Sequence, residues 1–188
     1  MPELKCNPGS LLRREEVALV VIDVQDRLLP TIAEGDRVVA NIVKLVRFFR
    51  LLNLPTIVTE QVKLGTTVPE IRAELPDVEP VVKSDFSCFG CEDFAETLRG
   101  LGRNALALTG IESHICVAQT ALRALPEYSV HVVSDAISSR SPQNVAVAVK
   151  RMLQAGATIT STEMLIYELL QRAGTDEFRA ALKLVKEG

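Results

Sequence analysis

Three side chains of the sequence have the chemistry needed for nucleophilic catalysis: Asp23, Lys83 and Cys116. A cysteine attacks a carbonyl carbon as the thiolate, so it needs a neighbour that takes its proton. A carboxylate such as Asp23 accepts a proton, and an ammonium such as Lys83 stabilises negative charge on both partners. Taken singly, these residues are better explained as a strand-end cap, a solvated charge and a small buried side chain. Together they predict acyl transfer by a cysteine nucleophile.

Each of the three residues is expected where a buried strand ends. Asp23 and Lys83 directly follow short apolar runs, and Cys116 lies in the turn and helix that follow a third run. In a parallel sheet the carboxyl ends of the strands lie at one edge, where open α/β sheets bind their ligands. The sequence therefore predicts that the three side chains converge. The strands that would carry them are expected over residues 17–22, 80–82 and 105–108.

The segment around Cys116 predicts a strand, a sharp turn and the start of a helix. Gly110 allows a tight turn, and Ser113 is the expected N-cap of the helix. Unpaired backbone N–H groups and the helix dipole at such a start favour an anion. The thiol of Cys116 is therefore expected to form a thiolate more easily than an ordinary cysteine.

Strand and helix patterns alternate along the chain and predict an α/β fold. We expect a three-layer, Rossmann-like architecture, with a six-stranded, mainly parallel sheet and helices on both faces. The 188 residues, 47% of them hydrophobic, fit one domain over residues 1–188, with residues 1–16 as an extended lead-in. The other strands are expected over residues 56–59, 130–133 and 157–160, and the main helices over 38–52, 91–101, 142–154, 161–171 and 175–186.

Composition excludes several classes of partner. The net charge is −3 and no basic stripe occurs, so no nucleic acid is expected as a partner. No apolar run approaches the length of a membrane span, and the first residues lack the apolar core of a signal peptide. We therefore predict no membrane association and a cytoplasmic location, in which the four cysteines stay reduced: Cys6, Cys88, Cys91 and Cys116.

The chain resembles the isochorismatase-like cysteine hydrolases, the superfamily that includes the nicotinamidases. Three segments carry the resemblance, in the right order, over residues 19–26, 81–87 and 109–117. The resemblance implies a nucleophile at Cys116, a general base at Asp23 and a supporting lysine at Lys83. It also implies a cis peptide bond between Ile111 and Glu112, and an oxyanion hole formed by the backbone N–H groups of Glu112 and Cys116.

The implied reaction is cleavage of a small amide, imide or related C–N bond through a thioester intermediate. Some members of the superfamily instead cleave a vinyl ether without the cysteine, so the fold alone does not decide the reaction. Nicotinamidases bind a metal through an Asp-x-His stretch, and the corresponding residues 59–65 contain no histidine. The sequence therefore predicts neither a metal nor a cofactor.

The substrate is expected to be a small molecule, but the sequence does not identify it. Leu28 stands where nicotinamidases have an aromatic residue, which argues against nicotinamide as the substrate. Residues 59–61 and 64–68 resemble the isochorismatase domain-containing branch of the superfamily. His114 lies near the expected nucleophile and could act as a base, although Asp23 already has that position in the family. Candidate substrate-binding residues are Leu28, Gln61, Phe86, His114 and Ile115.

Two alternatives to the hydrolase remain open. The chain could be a non-catalytic isochorismatase-like interaction protein, or a thiol oxidoreductase that uses Cys88 and Cys91, which have redox spacing. A redox pair, however, usually opens the first helix of a thioredoxin-like unit, and this pair follows the third strand. A homo-oligomer is also expected, because oligomers are common in the family. The apolar face of the helix over residues 161–170 fits an interface, although core packing explains it equally well.

Overall fold

Between residues 11 and 186, six parallel strands form one sheet in the order β3-β2-β1-β4-β5-β6. The structure is a computed structural model and describes residues 11–186, so Cys6 and most of the expected lead-in lie outside the described residues. The predicted α/β fold with a parallel sheet is confirmed. The strands are β1 Val17–Ile22, β2 Thr56–Gln61, β3 Val81–Lys83, β4 Ala105–Ile111, β5 Ser129–Ser138 and β6 Thr158–Thr160.

The connecting helices start and end close to the predicted residues. Pro142 opens α5 at its first turn, as the sequence indicates. Among the described residues 11–186, no helix is long and apolar enough to cross a membrane. The helices are α1 Gly35–Leu51, α2 Pro69–Arg72, α3 Glu92–Leu101, α4 Ala118–Ala124, α5 Pro142–Gln154, α6 Thr162–Leu170 and α7 Asp176–Lys186.

The sheet is buried on both faces, which accounts for the continuous apolar run of β1. Successive side chains of a strand point to opposite faces. Val17, Leu19 and Val21 accordingly pack into a hydrophobic cluster with α1, α6 and α7. The alternate residues of β1 pack with α3, α4 and α5 on the other face. Helices thus cover both faces of the sheet, which gives the three predicted layers.

β5 is longer than the sequence predicts, because its polar residues find partners at the edge of the sheet. The strand continues from residue 133 through Ser138, beyond a register shift opposite Leu108 and Gly110. Asp135 within this extension accepts hydrogen bonds from the backbone N–H and the hydroxyl of Thr162, at 2.8 and 3.0 Å. The carboxylate thus caps the first turn of α6, and these hydrogen bonds compensate for its position within the strand.

Gly110 of β4 leaves no room for a side chain against β1. It pairs with Ile22 at φ +111°, and a Cβ at this position would lie 2.1 Å from the Ile22 carbonyl oxygen. We expect Gly110→Ala to lower the free energy of unfolding by about 2–4 kcal/mol, because neither backbone can move freely. The matched control is Gly100→Ala in α3, where a Cβ meets nothing within 4 Å. Urea unfolding that shows equal stability for both variants would contradict the tight β1–β4 contact.

Candidate active site

Asp23 and Lys83 form a buried ion pair at the carboxyl ends of the strands. Asp23 follows β1 directly in a left-handed backbone conformation with φ 54°, and Lys83 is the last residue of β3 rather than the residue after it. The Lys83 Nζ lies 2.6 Å from Asp23 Oδ2, and both side chains are completely shielded from solvent. Thr59 of β2, between the two strands, donates its hydroxyl to Asp23 Oδ1 at 2.7 Å.

The Lys83 ammonium is well supplied with acceptors despite its burial. Besides Asp23, the Nζ lies 3.1 Å from the carbonyl oxygen of Asp85 and 3.4 Å from both the Phe86 carbonyl oxygen and Gln61 Oε1. An ammonium has three protons, so these oxygens satisfy it completely. A buried charge pair persists only with such compensation, and the arrangement therefore holds the Asp23 carboxylate and the Lys83 ammonium in fixed positions.

Cys116 is brought to the same place from the other side of β1. It lies in a π-helical turn, Ser113–Val117, that follows β4 and leads into α4, and it is 6% exposed. The expected N-cap at Ser113 is wrong: the Ser113 hydroxyl is buried and has no hydrogen-bond partner among the residues described. The Cys116 thiol donates instead to Gln61 Oε1 at 3.5 Å.

The predicted lowering of the Cys116 pKa is also wrong in the resting structure. Burial raises the pKa of this thiol above its usual value, and the negative charge of Asp23 raises it further, while the Lys83 ammonium lowers it. A thiol next to a carboxylate keeps its proton because two anions would repel one another. The resting nucleophile is therefore a neutral thiol beside a base, which is the arrangement of general-base activation.

Gln61 connects the thiol with the ion pair. It is the last residue of β2 and pairs in register with Lys83. Its Oε1 faces both the Cys116 sulfur and the Lys83 ammonium, so its carboxamide lies among the reactive groups. The fully buried Gln25 holds the Gln61 backbone by accepting from its N–H at 2.8 Å and donating to its carbonyl at 3.0 Å.

Within residues 11–186, the side chains of the other candidate substrate-binding residues make no hydrogen bond with Asp23, Lys83 or Cys116. Phe86 reaches Lys83 through its carbonyl oxygen, while its ring is half exposed. His114 bonds through Nδ1 to the Ser139 hydroxyl at 3.0 Å. Ile115 packs against the cluster that contains the nucleophile, whereas Leu28 packs against the cluster on the opposite face.

Three supporting side chains were not selected from the sequence: Thr59, Gln25 and Arg140. Thr59 and Gln61 are two residues apart in β2, so a strand period of two indicates that they share a face. Arg140 binds the buried Glu112 carboxylate through its backbone N–H at 2.9 Å. The peptide bond between Ile111 and Glu112 is cis in the structure. No periodicity signals the Arg140 contact, because it joins two loops distant in sequence.

The Cys88 and Cys91 thiols lie in different surroundings. Cys88 is fully buried with its sulfur 4.0 Å from the Thr59 hydroxyl, whereas the Cys91 thiol is partly exposed and faces the Val82 carbonyl oxygen at 3.6 Å. Both are free thiols. Over residues 11–186, no group of three or more His, Cys, Asp or Glu side chains is arranged to hold a metal ion.

Cys88 gives the protein a specific sensitivity to alkaline pH. Burial raises the pKa of its thiol from the usual 9.0 to about 11. Above pH 9 the unfolded chain releases this proton first and so binds fewer protons than the folded one, and stability falls as the pH rises. The loss between pH 9 and 11 is expected to reach about 3 kcal/mol, at about 1.4 kcal/mol per pKa unit. Urea unfolding at several pH values should show a shallower decline for Cys88→Ala, and identical slopes would contradict the prediction.

Comparison with known proteins places this geometry in a family. The sequence model of the isochorismatase domain matches residues 17–164. The chain belongs to the isochorismatase family. Isochorismatase domain-containing protein 2 of Danio rerio is 37% identical over 171 residues, covering 89% of this chain and 85% of that protein. The predicted relationship to this branch is thereby confirmed.

Two further relatives of the isochorismatase family bear on the other expectations. The secreted isochorismatase effector Isc1 of Phytophthora sojae is 40% identical over 192 residues, covering 95% of this chain and 88% of Isc1. The YcaC gene product of Escherichia coli, described as an octameric hydrolase of unknown specificity, is 29% identical. It superposes with a TM-score of 0.88 over 95% of this chain and 90% of its own. The chain thus has the hydrolase fold of this family.

Proposed function

We propose that this protein is a cysteine hydrolase that cleaves a small amide, imide or related C–N bond. One observation carries the proposal: the Asp23–Lys83 ion pair and the Cys116 thiol share one buried site, and Gln61 Oε1 contacts both the ammonium and the sulfur. A thiol, a base and a fixed positive charge are the groups that acyl transfer through a thioester requires. Family membership supports a hydrolase, and the three residues supply its chemistry.

In the proposed reaction Asp23 removes the thiol proton as the sulfur of Cys116 attacks the carbonyl carbon. The tetrahedral intermediate carries its negative charge on oxygen, where the backbone N–H groups of Glu112 and Cys116 would donate to it. The nitrogen leaves with the proton that Asp23 returns. Water then hydrolyses the thioester, giving one proton to Asp23 and releasing the acid, and the thiol is regenerated when that proton returns to sulfur.

Because the pKa of Cys116 is raised, the thiol keeps its proton until a substrate binds. A permanent thiolate would repel the Asp23 carboxylate, whereas a neutral thiol allows Asp23 to stay charged until a substrate arrives. Lys83 stabilises whichever of the two groups carries the negative charge, so it serves both halves of the cycle. No metal or other cofactor takes part in the proposed reaction.

We infer that the substrate is a small molecule bound near Gln61. The Gln61 carboxamide has an N–H₂ group besides the oxygen that contacts the thiol, and it would orient a substrate carbonyl or amide. Phe86 and Ile115 would supply apolar contacts, and Leu28 and His114 would line the approach. A free catalytic thiol works only in its reduced form, which fits the cytoplasm, whereas the Phytophthora sojae relative is named as secreted.

We also propose that the chain forms a homo-oligomer, as the Escherichia coli YcaC gene product does. Met164 of α6 is 61% exposed and Tyr167 is 37% exposed, so this helix presents apolar side chains outward. Sedimentation at several protein concentrations would test the proposal, and a concentration-independent monomer would contradict it.

The central experiment tests a panel of small amides and imides with the wild type and Asp23→Asn. Loss of the base is expected to reduce turnover by about 10²–10⁴-fold. The same substitution removes a charge that raises the pKa of Cys116, so thiolate absorbance should develop at lower pH than in the wild type.

The two readouts separate catalysis from structure. A misfolded Asp23→Asn variant would lose activity and expose all its thiols, whereas the proposal predicts that Cys116 stays buried and that its pKa falls, together with a smaller fall for the pKa of Cys88. If Asp23→Asn retains full turnover, the proposed role of Asp23 is wrong. If the wild type hydrolyses nothing in the panel, the non-catalytic interaction protein gains support.

A further inference from the structure

Glu112 is a buried carboxylate for which the proposed mechanism has no use. Its side chain is 5% exposed, yet it precedes the turn that carries Cys116 and does not contact the Asp23–Lys83 pair. Burying a carboxylate is costly unless hydrogen bonds compensate for the lost water. The location therefore calls for an explanation beyond packing.

The Glu112 carboxylate is bound by one residue of another loop. Its Oε2 accepts from the backbone N–H of Arg140 at 2.9 Å, and the Arg140 Nε lies 3.2 Å away. The carbonyl of Glu112 is held as well, because it accepts from the N–H groups of Ile115 at 3.1 Å and Val117 at 3.2 Å. Both ends of this residue are thus fixed, and the direction of its own peptide N–H is fixed with them.

A second contact joins the same two loops. His114 bonds to the Ser139 hydroxyl, so the turn before the nucleophile is tied to residues 139–140 at two adjacent points. Hydrogen bonds to a charged acceptor are stronger than bonds between neutral groups. The carboxylate bond is therefore the stronger restraint, and it acts on the very residue whose N–H the mechanism uses.

We propose that the Glu112 carboxylate is a positioning residue that holds the oxyanion hole in its working geometry through Arg140. The inference rests on the proposed function, because it assigns a task to the oxyanion hole. Donors that stabilise a transition state act best when they are oriented before the charge develops. Loss of the carboxylate should therefore weaken stabilisation of the oxyanion and leave the thiol itself unchanged.

Two reagents distinguish these effects in the intact protein without requiring turnover. Propionaldehyde adds to a thiol: the sulfur–carbon bond forms, the carbonyl π bond breaks, and the thiol proton ends on the oxygen of a tetrahedral adduct. That oxygen occupies the oxyanion position. Iodoacetamide alkylates the same sulfur by displacing iodide, with the thiol proton released to solvent, and forms no tetrahedral adduct with an oxygen in that position. Mass spectrometry of the Cys116 peptide gives the alkylation rate and the protection by propionaldehyde.

Glu112→Ala is expected to weaken propionaldehyde protection by about tenfold or more, with the alkylation rate within about twofold of wild type. Glu112→Gln keeps an oxygen for the Arg140 N–H and should lie between Glu112→Ala and wild type. Arg140→Ala removes only an exposed guanidinium and should weaken protection by about threefold. If Glu112→Ala does not fold, Glu112→Gln decides, and unchanged protection in that variant overturns the proposal.

The remaining outcomes are equally decisive. A parallel loss of protection and alkylation would show that Glu112 merely holds the fold, and failure of propionaldehyde to protect the wild type would show that no oxyanion hole exists. Protection that depends on Glu112 in a protein that hydrolyses no amide would overturn the proposed reaction but support this inference. Amide turnover that is unaffected by Glu112→Ala would support the proposed reaction but overturn this inference.

Discussion

Cys116→Ser is expected to reduce amide hydrolysis by about 10³-fold or more while the fold is retained. A serine hydroxyl holds its proton far more tightly than a thiol, so general-base activation of the hydroxyl is much less efficient. The effect of losing a nucleophile is the largest that a single residue of such a site produces. Steady-state rates with the best amide of the panel measure the loss of activity, and thermal unfolding measures whether the fold is retained.

The matched control for this variant is Cys88→Ser. Cys88 is also buried and free, and its sulfur lies 4.0 Å from Thr59, the same threonine that donates to Asp23. Turnover by Cys88→Ser should stay within about threefold of wild type, since the thiol contacts no reacting atom in the proposed mechanism. If Cys88→Ser abolishes hydrolysis and Cys116→Ser does not, the nucleophile has been misassigned.

Lys83→Met is expected to lower the free energy of unfolding by about 3–5 kcal/mol, because it leaves the Asp23 carboxylate buried without its counter-charge. The Thr59 hydroxyl alone cannot replace an ammonium 2.6 Å away. The same variant should raise the pKa of Cys116 further, since the Lys83 charge lowers it. Urea unfolding at neutral pH and the pH dependence of thiolate absorbance provide the measurements.

The double variant Asp23→Asn with Lys83→Met is the control for this prediction. It removes both charges, so part of the lost stability should return although the catalytic groups are gone. If Lys83→Met lowers the free energy of unfolding by less than about 1 kcal/mol, the effect is that of a solvent-exposed ion pair. Such a result would mean that water reaches the Asp23–Lys83 pair.

Much of the fold follows from local patterns in the sequence. The apolar run of β1 predicts a strand buried on both faces. Because Asp23 directly follows this run, its position at the carboxyl end of the strand is predicted as well. Pro142 marks the start of α5 because a proline is tolerated in the first helical turn. The contacts between Asp23 and Lys83 follow from one further fact, that β2 alone separates β1 from β3 in a parallel sheet.

The environment of the nucleophile does not follow from local patterns. The spacing of Ser113 and Cys116 predicts a capped α-helix, but the chain forms a π-helical turn and the Ser113 hydroxyl has no partner among the described residues. The thiol pKa depends on burial and on Asp23, which is 93 residues away in the sequence. Both features arise from tertiary packing, and a window of neighbouring residues contains no information about either.

The placement of Lys83 has a consequence for heat sensitivity. β3 has three residues, lies at the outer edge of the sheet and, within the part of the chain that the structure describes, pairs with β2 alone. Short edge strands open locally at a lower free energy than the central strands, before the domain unfolds as a whole. Fraying of β3 would withdraw the ammonium from Asp23 while β1 and β4 stay paired. Catalysis would then fail on warming below the melting temperature of the sheet and return on cooling.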